Sequence, residues 1–407
     1  MESDLGNRFS KRRRIALIVT LGLLTGLGPF TIDLYLPAFP VIKQQWALSD
    51  AQIQVTLSAT TIGFALGQLI VGPLSDRLGR RWPLVVCSAV HVLASVMVAI
   101  APSVGFLTAM RALQGIGAAG GAVVAMAMAR DLFSGRPLVV MLSRLALING
   151  LAPIVAPIVG SWMVSFMPWQ GIFWALACYG SLVVLLIFVV TVETRPPSER
   201  TTGGLAPLLG GFGSVLGDRV SLGAITVSAF AFGGLFSYVS SSSVLLQEVY
   251  GLSAQGFGAV FAICSCGVFI GVQSGSRLAT RFGPQWVLAG STVLMMLAGG
   301  AVLLLNAAHA GWQPLVPALF AFTLAFGSSA PCTQLLTLMN HRDRSGTAAS
   351  LQGSTTMLMG SLVGPLIGLV PMTSAAPMGT AMLACAVCAT LALWLVLRPW
   401  TLPRGLI

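Results

Sequence analysis

Two ionisable residues stand where charge is costly. Asp33 lies in TIDLYLPAFP (Thr31–Pro40) and Arg111 in LTAMRALQGIGAAGG (Leu107–Gly121), each within an apolar run. On insertion scales a charge at the centre of a membrane span costs at least about 2.5 kcal/mol. Each residue is therefore expected to face the protein interior and to have a partner or an aqueous cavity. Together they could exchange a proton. Burial favours the neutral form of a carboxyl and a neighbouring cation favours its charged form, so changing their separation takes up or releases a proton. A different chemistry is suggested by Gly115, Gly117 and Gly120, whose G-x-G-x-x-G spacing is that of a dinucleotide cradle. Such a cradle must follow a strand and open a helix. Here the glycines lie mid-run and read instead as a surface for close helix approach.

The elements that must carry these residues follow from composition. Of 407 residues, 56% are hydrophobic and 8% charged, against roughly 25% charged in soluble domains. Mean hydropathy is +0.89. A span needs about 20 apolar residues, and that ruler predicts twelve helices at roughly 15–38, 50–74, 82–101, 104–130, 138–164, 171–192, 220–247, 256–276, 285–307, 312–339, 346–370 and 376–398. The fold class is thus an all-α membrane protein, and the alternating ten-residue segments of a barrel are absent. With both termini cytoplasmic, nineteen of the 22 Lys and Arg fall on the inner side, Lys43 falls outside, and Arg111 and Arg144 fall within spans. That bias orients the chain. On this topology Asp33 lies five residues before the outer end of span 1 and Arg111 seven residues into span 4, at matching depth.

The longest polar interval divides the chain into a six-helix bundle over 1–192, a cytoplasmic linker over 193–219 and a second bundle over 220–407. The halves echo one another. GPLSDRLGRRWPL (Gly72–Leu84) aligns with SRLATRFGPQWVL (Ser276–Leu288), and APIVG (Ala156–Gly160) with GPLIG (Gly364–Gly368). In the first loop Gly72 and Gly79 permit a tight turn, and Asp76 is an acid among basic residues that Arg77, Arg80 or a helix N-terminus could engage. In span 5, Pro153 and Pro157 each remove a backbone donor, and Gly160 allows close packing. Tyr35, Phe232, Phe236 and Tyr238 are candidates for lining a cavity. The net charge of +11 is scattered in short clusters without a continuous stripe, which argues against nucleic acid. Seven cysteines fall in apolar runs, and Cys385-x-x-Cys388 reads as small core residues. His91 and His309 show no ligand geometry. No metal cluster, Walker motif or nucleophile–base set is present, so neither an enzyme nor a cofactor is expected.

These motifs resemble the major facilitator superfamily. GPLSDRLGRRWPL is similar to its loop 2–3 signature, LTAMRALQGIGAAGG to its span-4 signature, and APIVAPIVGS (Ala152–Ser161) to a variant of its span-5 antiporter signature. The DLYLPAFP stretch resembles the bicyclomycin and chloramphenicol resistance (Bcr/CflA) branch of the twelve-span drug:proton antiporters. The resemblance implies two pseudo-symmetric six-helix bundles. It assigns Asp33 and Arg111 to proton and substrate coupling, Gly72, Asp76, Arg77, Gly79 and Arg80 to a gating loop, and Pro153, Pro157 and Gly160 to the antiporter motif. The implied activity is proton-coupled efflux of small amphipathic or lipophilic compounds by alternating access. The implied setting is a monomer in the bacterial cytoplasmic membrane, with protons, a small molecule and the lipid bilayer as partners. Ala156 and Ser161 depart from the span-5 signature, where glycine is usual, and a facilitator or symporter of a small metabolite is the alternative.

Overall fold

A computed structural model describes residues 9–200, 212–341 and 345–402. It holds twelve long helices: α1 (Lys11–Asp33), α2 (Asp50–Leu78), α3 (Arg81–Ala99), α4 (Val104–Leu132), α5 (Gly135–Phe166), α6 (Gln170–Val190), α7 (Arg219–Val244), α8 (Ala254–Phe282), α9 (Pro284–Ala307), α10 (Trp312–Leu338), α11 (Ser345–Gly368) and α12 (Ala376–Leu391). No strand occurs among the described residues. Among the described residues, eleven spans are long and apolar enough to cross a membrane. Only α11 is not among them, and its SGTAASLQGSTT opening explains why. The fold is an all-α membrane protein, as the spacing of apolar runs predicts.

Span 1 differs from its predicted extent. Its helix stops at Asp33 rather than at residue 38, and a 3₁₀ turn (Leu36–Ala38) and a short helix (Phe39–Trp46) follow. Pro37 and Pro40 lack the N–H groups that would continue the ladder. Asp33 is therefore the last helical residue, not one buried a further turn inside.

By contacts the chain forms two compact units, residues 1–35 with 59–203 and residues 36–58 with 204–407. The core of the first gathers Leu17, Leu21 and Leu24 of α1 with Leu84, Val124, Met128, Leu145 and Ile187. Its closest seam joins α2 to α4. A Cβ on Gly63 would stand 1.9 Å from the Ala112 carbonyl, and one on Gly115 would stand 2.0 Å from that of Thr60. Only glycine allows backbones this close, as in other small-residue membrane seams. The second unit repeats the device between α8 and α10, where a Cβ on Gly271 or Gly327 would meet backbone oxygen at 2.2 Å. The halves also share their turns. Gly79 and Gly283, aligned in the sequence repeat, have φ of +94° and +88°, a region that glycine enters without strain.

In the second unit Lys43 joins Asp50 and, at 2.6 Å, Glu248. The other Asp50 oxygen accepts the Met372 N–H at 3.0 Å. Phe232 and Phe236, 5.9 Å apart, close on Gly360, whose Cβ would lie 2.6 Å from the first ring. Tyr238 stacks on Phe261 at 5.3 Å and is 2% exposed. Phe236 and Tyr238 are both buried in this structure.

Candidate functional site

Arg111 is completely buried in α4, within the first unit. Its Nη1 donates to the Thr31 carbonyl at 3.0 Å and to Gln114 Oε1 at 2.6 Å. The guanidinium lies over the rings of Tyr35 at 4.6 Å and Phe173 at 5.5 Å. Those rings meet each other at 5.3 Å, and Trp169 braces Phe173 edge-on at 5.9 Å. Nε and Nη2 make no hydrogen bond among the described residues, so three of the five N–H donors are unused there.

The α1 terminus explains why a cation sits here. The last four carbonyls of a helix lack intrahelical partners, and the negative end of the helix dipole favours a cation. Thr31 is two residues from that end. Arg111 thus caps α1 from the side and is further stabilised by two aromatic faces.

Asp33 is 7% exposed and makes neither a hydrogen bond nor an ion pair with any of the described residues. The direct Asp33–Arg111 pair suggested by their matching depth is not formed. Both residues nonetheless lie inside the protein rather than on a lipid face. The guanidinium engages the end of the helix that carries Asp33, through Thr31, instead of the carboxylate.

Sequence reasoning missed the remainder of this cluster. His91 of α3, fully buried, meets Thr31 Oγ1 through Nε2 at 2.8 Å. Gln114 Nε2 donates to Ser95 Oγ at 2.7 Å, and Ser95 Oγ donates to the His91 carbonyl at 2.7 Å. Gly117 lets α3 approach, since its Cβ would lie 2.6 Å from the Cys87 carbonyl and 2.7 Å from the His91 nitrogen. The G-x-G-x-x-G pattern is therefore a packing surface, and Gly120 fits the same account against Cys87.

A second polar cluster closes the opposite end of the same unit. Arg80, 5% exposed, bonds Ser75 Oγ at 2.7 Å, Asp76 Oδ1 at 2.7 Å and Asp131 Oδ2 at 3.0 Å. Arg195 reaches Asp76 Oδ1 at 2.6 Å, and Thr194 donates to Asp131 at 2.9 Å. Glu193 accepts the backbone N–H of Arg80 at 2.8 Å and of Arg81 at 3.2 Å, capping the first turn of α3. Gly72 sits in α2, and Gly79 makes the turn beneath Glu193, where any Cβ would be 2.5 Å from Oε2. Of the predicted loop residues, Arg77 is exposed. Asp131, Glu193 and Arg195 went unseen because they lie 51 to 119 residues from their partners. Pro153, Pro157 and Gly160 all lie within α5, which runs unbroken from Gly135 to Phe166.

Apolar helices of this length, with a guanidinium caged among them, define an integral membrane protein. Residues 21–365 match the Major Facilitator Superfamily model, and the chain belongs to that family. It is 36% identical over 387 residues to an uncharacterized MFS-type transporter of Bacillus subtilis, covering 94% of this chain and 95% of that one. It is 32% identical over 375 residues to a bicyclomycin resistance protein homolog of Haemophilus influenzae, covering 92% and 94%. The fold is shared with a bacterial homolog of the human lysosomal transporter Spinster, at a TM-score of 0.73 and 17% identity over 97% of this chain and 98% of that one.

Proposed function

We propose that this transporter exports small amphipathic or lipophilic compounds in exchange for protons, by alternating access, as a monomer in the bacterial cytoplasmic membrane with both termini cytoplasmic. Its coupling site is Asp33 with Arg111. One observation carries the reading: a fully buried guanidinium keeps three N–H donors unused, beside a helix end bearing a carboxyl that has no partner. Buried unpaired donors and charges are costly. The arrangement is therefore poised to take up a partner, Asp33 when it is ionised. A cargo whose donor or cationic group engages that carboxylate favours loss of the Asp33 proton, and reprotonation of Asp33 favours release of the cargo. Gly72, Asp76, Arg77, Gly79 and Arg80 would serve as the gating loop, and Pro153, Pro157 and Gly160 as the pivot of span 5. Tyr35 would form the wall of the site on which Arg111 rests, with Phe232, Phe236 and Tyr238 lining the route only when α7 and α11 separate. The bicyclomycin resistance relative favours an antibiotic-like cargo over a metabolite.

The test uses inside-out vesicles with an acidified lumen and a luminal pH dye. Chloramphenicol is the first probe, within a panel of lipophilic compounds. Addition of a transported compound should release luminal protons. Asp33→Asn should reach the membrane at normal levels and release none. Wild-type proton release by Asp33→Asn would eliminate the coupling role.

A further inference from the structure

We infer that His91 is a positioning residue for Arg111, acting through both of the groups that hold the guanidinium. This rests on the coupling role proposed above. The Thr31 hydroxyl has one hydrogen, and it donates that hydrogen to the Leu27 carbonyl at 2.6 Å. At 2.8 Å from His91 Nε2 the same oxygen can only accept, so Nε2 carries the ring hydrogen. The other nitrogen, Nδ1, makes no hydrogen bond and faces Gly180 of α6, whose Cβ would lie 3.2 Å from it. The ring therefore has one polar contact, and that contact is Thr31.

Both acceptors of Arg111 trace back to this residue. Thr31 is pinned by its hydroxyl to the His91 ring and turns its carbonyl to Nη1. Gln114, the second acceptor, is oriented by Ser95, and Ser95 is oriented by the His91 carbonyl. One route runs through the side chain and one through the backbone, across α1, α3 and α4. Freed of the ring, Thr31 keeps its bond to the Leu27 carbonyl but loses the one that ties it to α3. Of the two acceptors of the guanidinium, only Gln114 then remains tied to α3, through Ser95 and the His91 backbone. A ring that merely filled space would need neither the tautomer nor the hydroxyl.

The test has two readouts on the full-length protein in lipid nanodiscs. The first is ¹⁵N NMR of histidine-labelled protein, with the His91 signal assigned by its absence from His91→Gln. Nε2–H with an unprotonated Nδ1 is expected, and Thr31→Val should shift the Nε2 resonance. An Nδ1–H tautomer, or a signal indifferent to Thr31→Val, overturns the inference whatever the transport result. The second is proton release in the vesicle assay. His91→Phe should slow it about tenfold, or ~1.4 kcal/mol, at an unchanged half-saturating chloramphenicol concentration. His91→Gln places an amide N–H near Nε2 and should recover most of the rate. Equal loss in Gln and Phe, or none in Phe, overturns the positioning role. If wild-type vesicles release no protons for any compound, the antiport reading fails while the NMR result still decides the His91–Thr31 bond.

Discussion

Gly117→Ala tests whether the polar cage depends on the distance between two helix backbones. The added Cβ would lie 2.6 Å from the Cys87 carbonyl and 2.7 Å from the His91 nitrogen, against 3.4 Å for ordinary contact. Helix α3 must therefore retreat by up to 0.8 Å. The Gln114–Ser95 bond crosses this same seam at 2.7 Å, and a retreat along it would stretch it to about 3.5 Å, past a normal hydrogen bond. Overpacking of this kind costs ~1–3 kcal/mol, and the lost buried bond about 1 kcal/mol more. Alanine's better helix propensity returns about 1 kcal/mol, leaving a net loss of ~1–3 kcal/mol. The assay is thermal unfolding of the purified protein in detergent, alongside Gly300→Ala in α9, where a Cβ meets nothing within 4 Å. The first variant should melt lower than wild type and the second should not. Proton release should fall in Gly117→Ala too, because His91 moves with α3. A Gly117→Ala protein that melts and transports as wild type would refute the claim that α3 and α4 are in backbone contact here.

Arg80→Ala should destabilise the protein by about 1–3 kcal/mol in the same melt, since it strips Ser75, Asp76 and Asp131 of one shared donor. Arg80→Lys should not restore it, because an ammonium cannot reproduce the guanidinium's fixed fork; full restoration by Lys would show that charge alone matters. Asp218, the N-cap of α7, tests pH dependence. Burial pushes its carboxyl up, but bonds from Ser221, Asn340 and the Val220 and Ser221 amides together hold it below the ordinary range. A depressed folded value stabilises above the unfolded pKa of about 3.9 and loses that stabilisation as pH falls through the folded value. Asp218→Ala should therefore melt lower at neutral pH, by an N-cap's ~1 kcal/mol, with the gap to wild type closing under acid. A gap that stays constant with pH would mean that the carboxylate contributes nothing specific.

How far the sequence reveals this molecule depends on which coordinate is asked for. Hydropathy gives position along the membrane normal, and the spans come out within a few residues because apolar length is what lipid selects. Depth says nothing about which way a side chain points around its helix. Asp33 and Arg111 were matched in level, yet the guanidinium binds the end of α1 through a backbone carbonyl, a group that carries no residue-type signal. The prolines that end α1 early were visible, but their consequence was placed five residues too late. The glycines read as packing from sequence alone because no strand precedes their spacing, and Gly115 and Gly117 do lie against neighbouring backbones.

A signal for the missing member of the cage was nonetheless present. Polar atoms within a span must find partners in the protein, since lipid offers none. Arg111 and Gln114 lie one turn apart in α4, and His91 and Ser95 one turn apart in α3. Antiparallel neighbours bring them level, because Arg111 is seven residues past the start of α4 and His91 eight before the end of α3. The bond that joins the two pairs is Gln114–Ser95 at 2.7 Å, while Arg111 and His91 both turn to Thr31 of α1. A histidine weighed alone shows no ligand geometry. Weighed with the donors and acceptors at its own level, it is the group that meets the same threonine as the arginine.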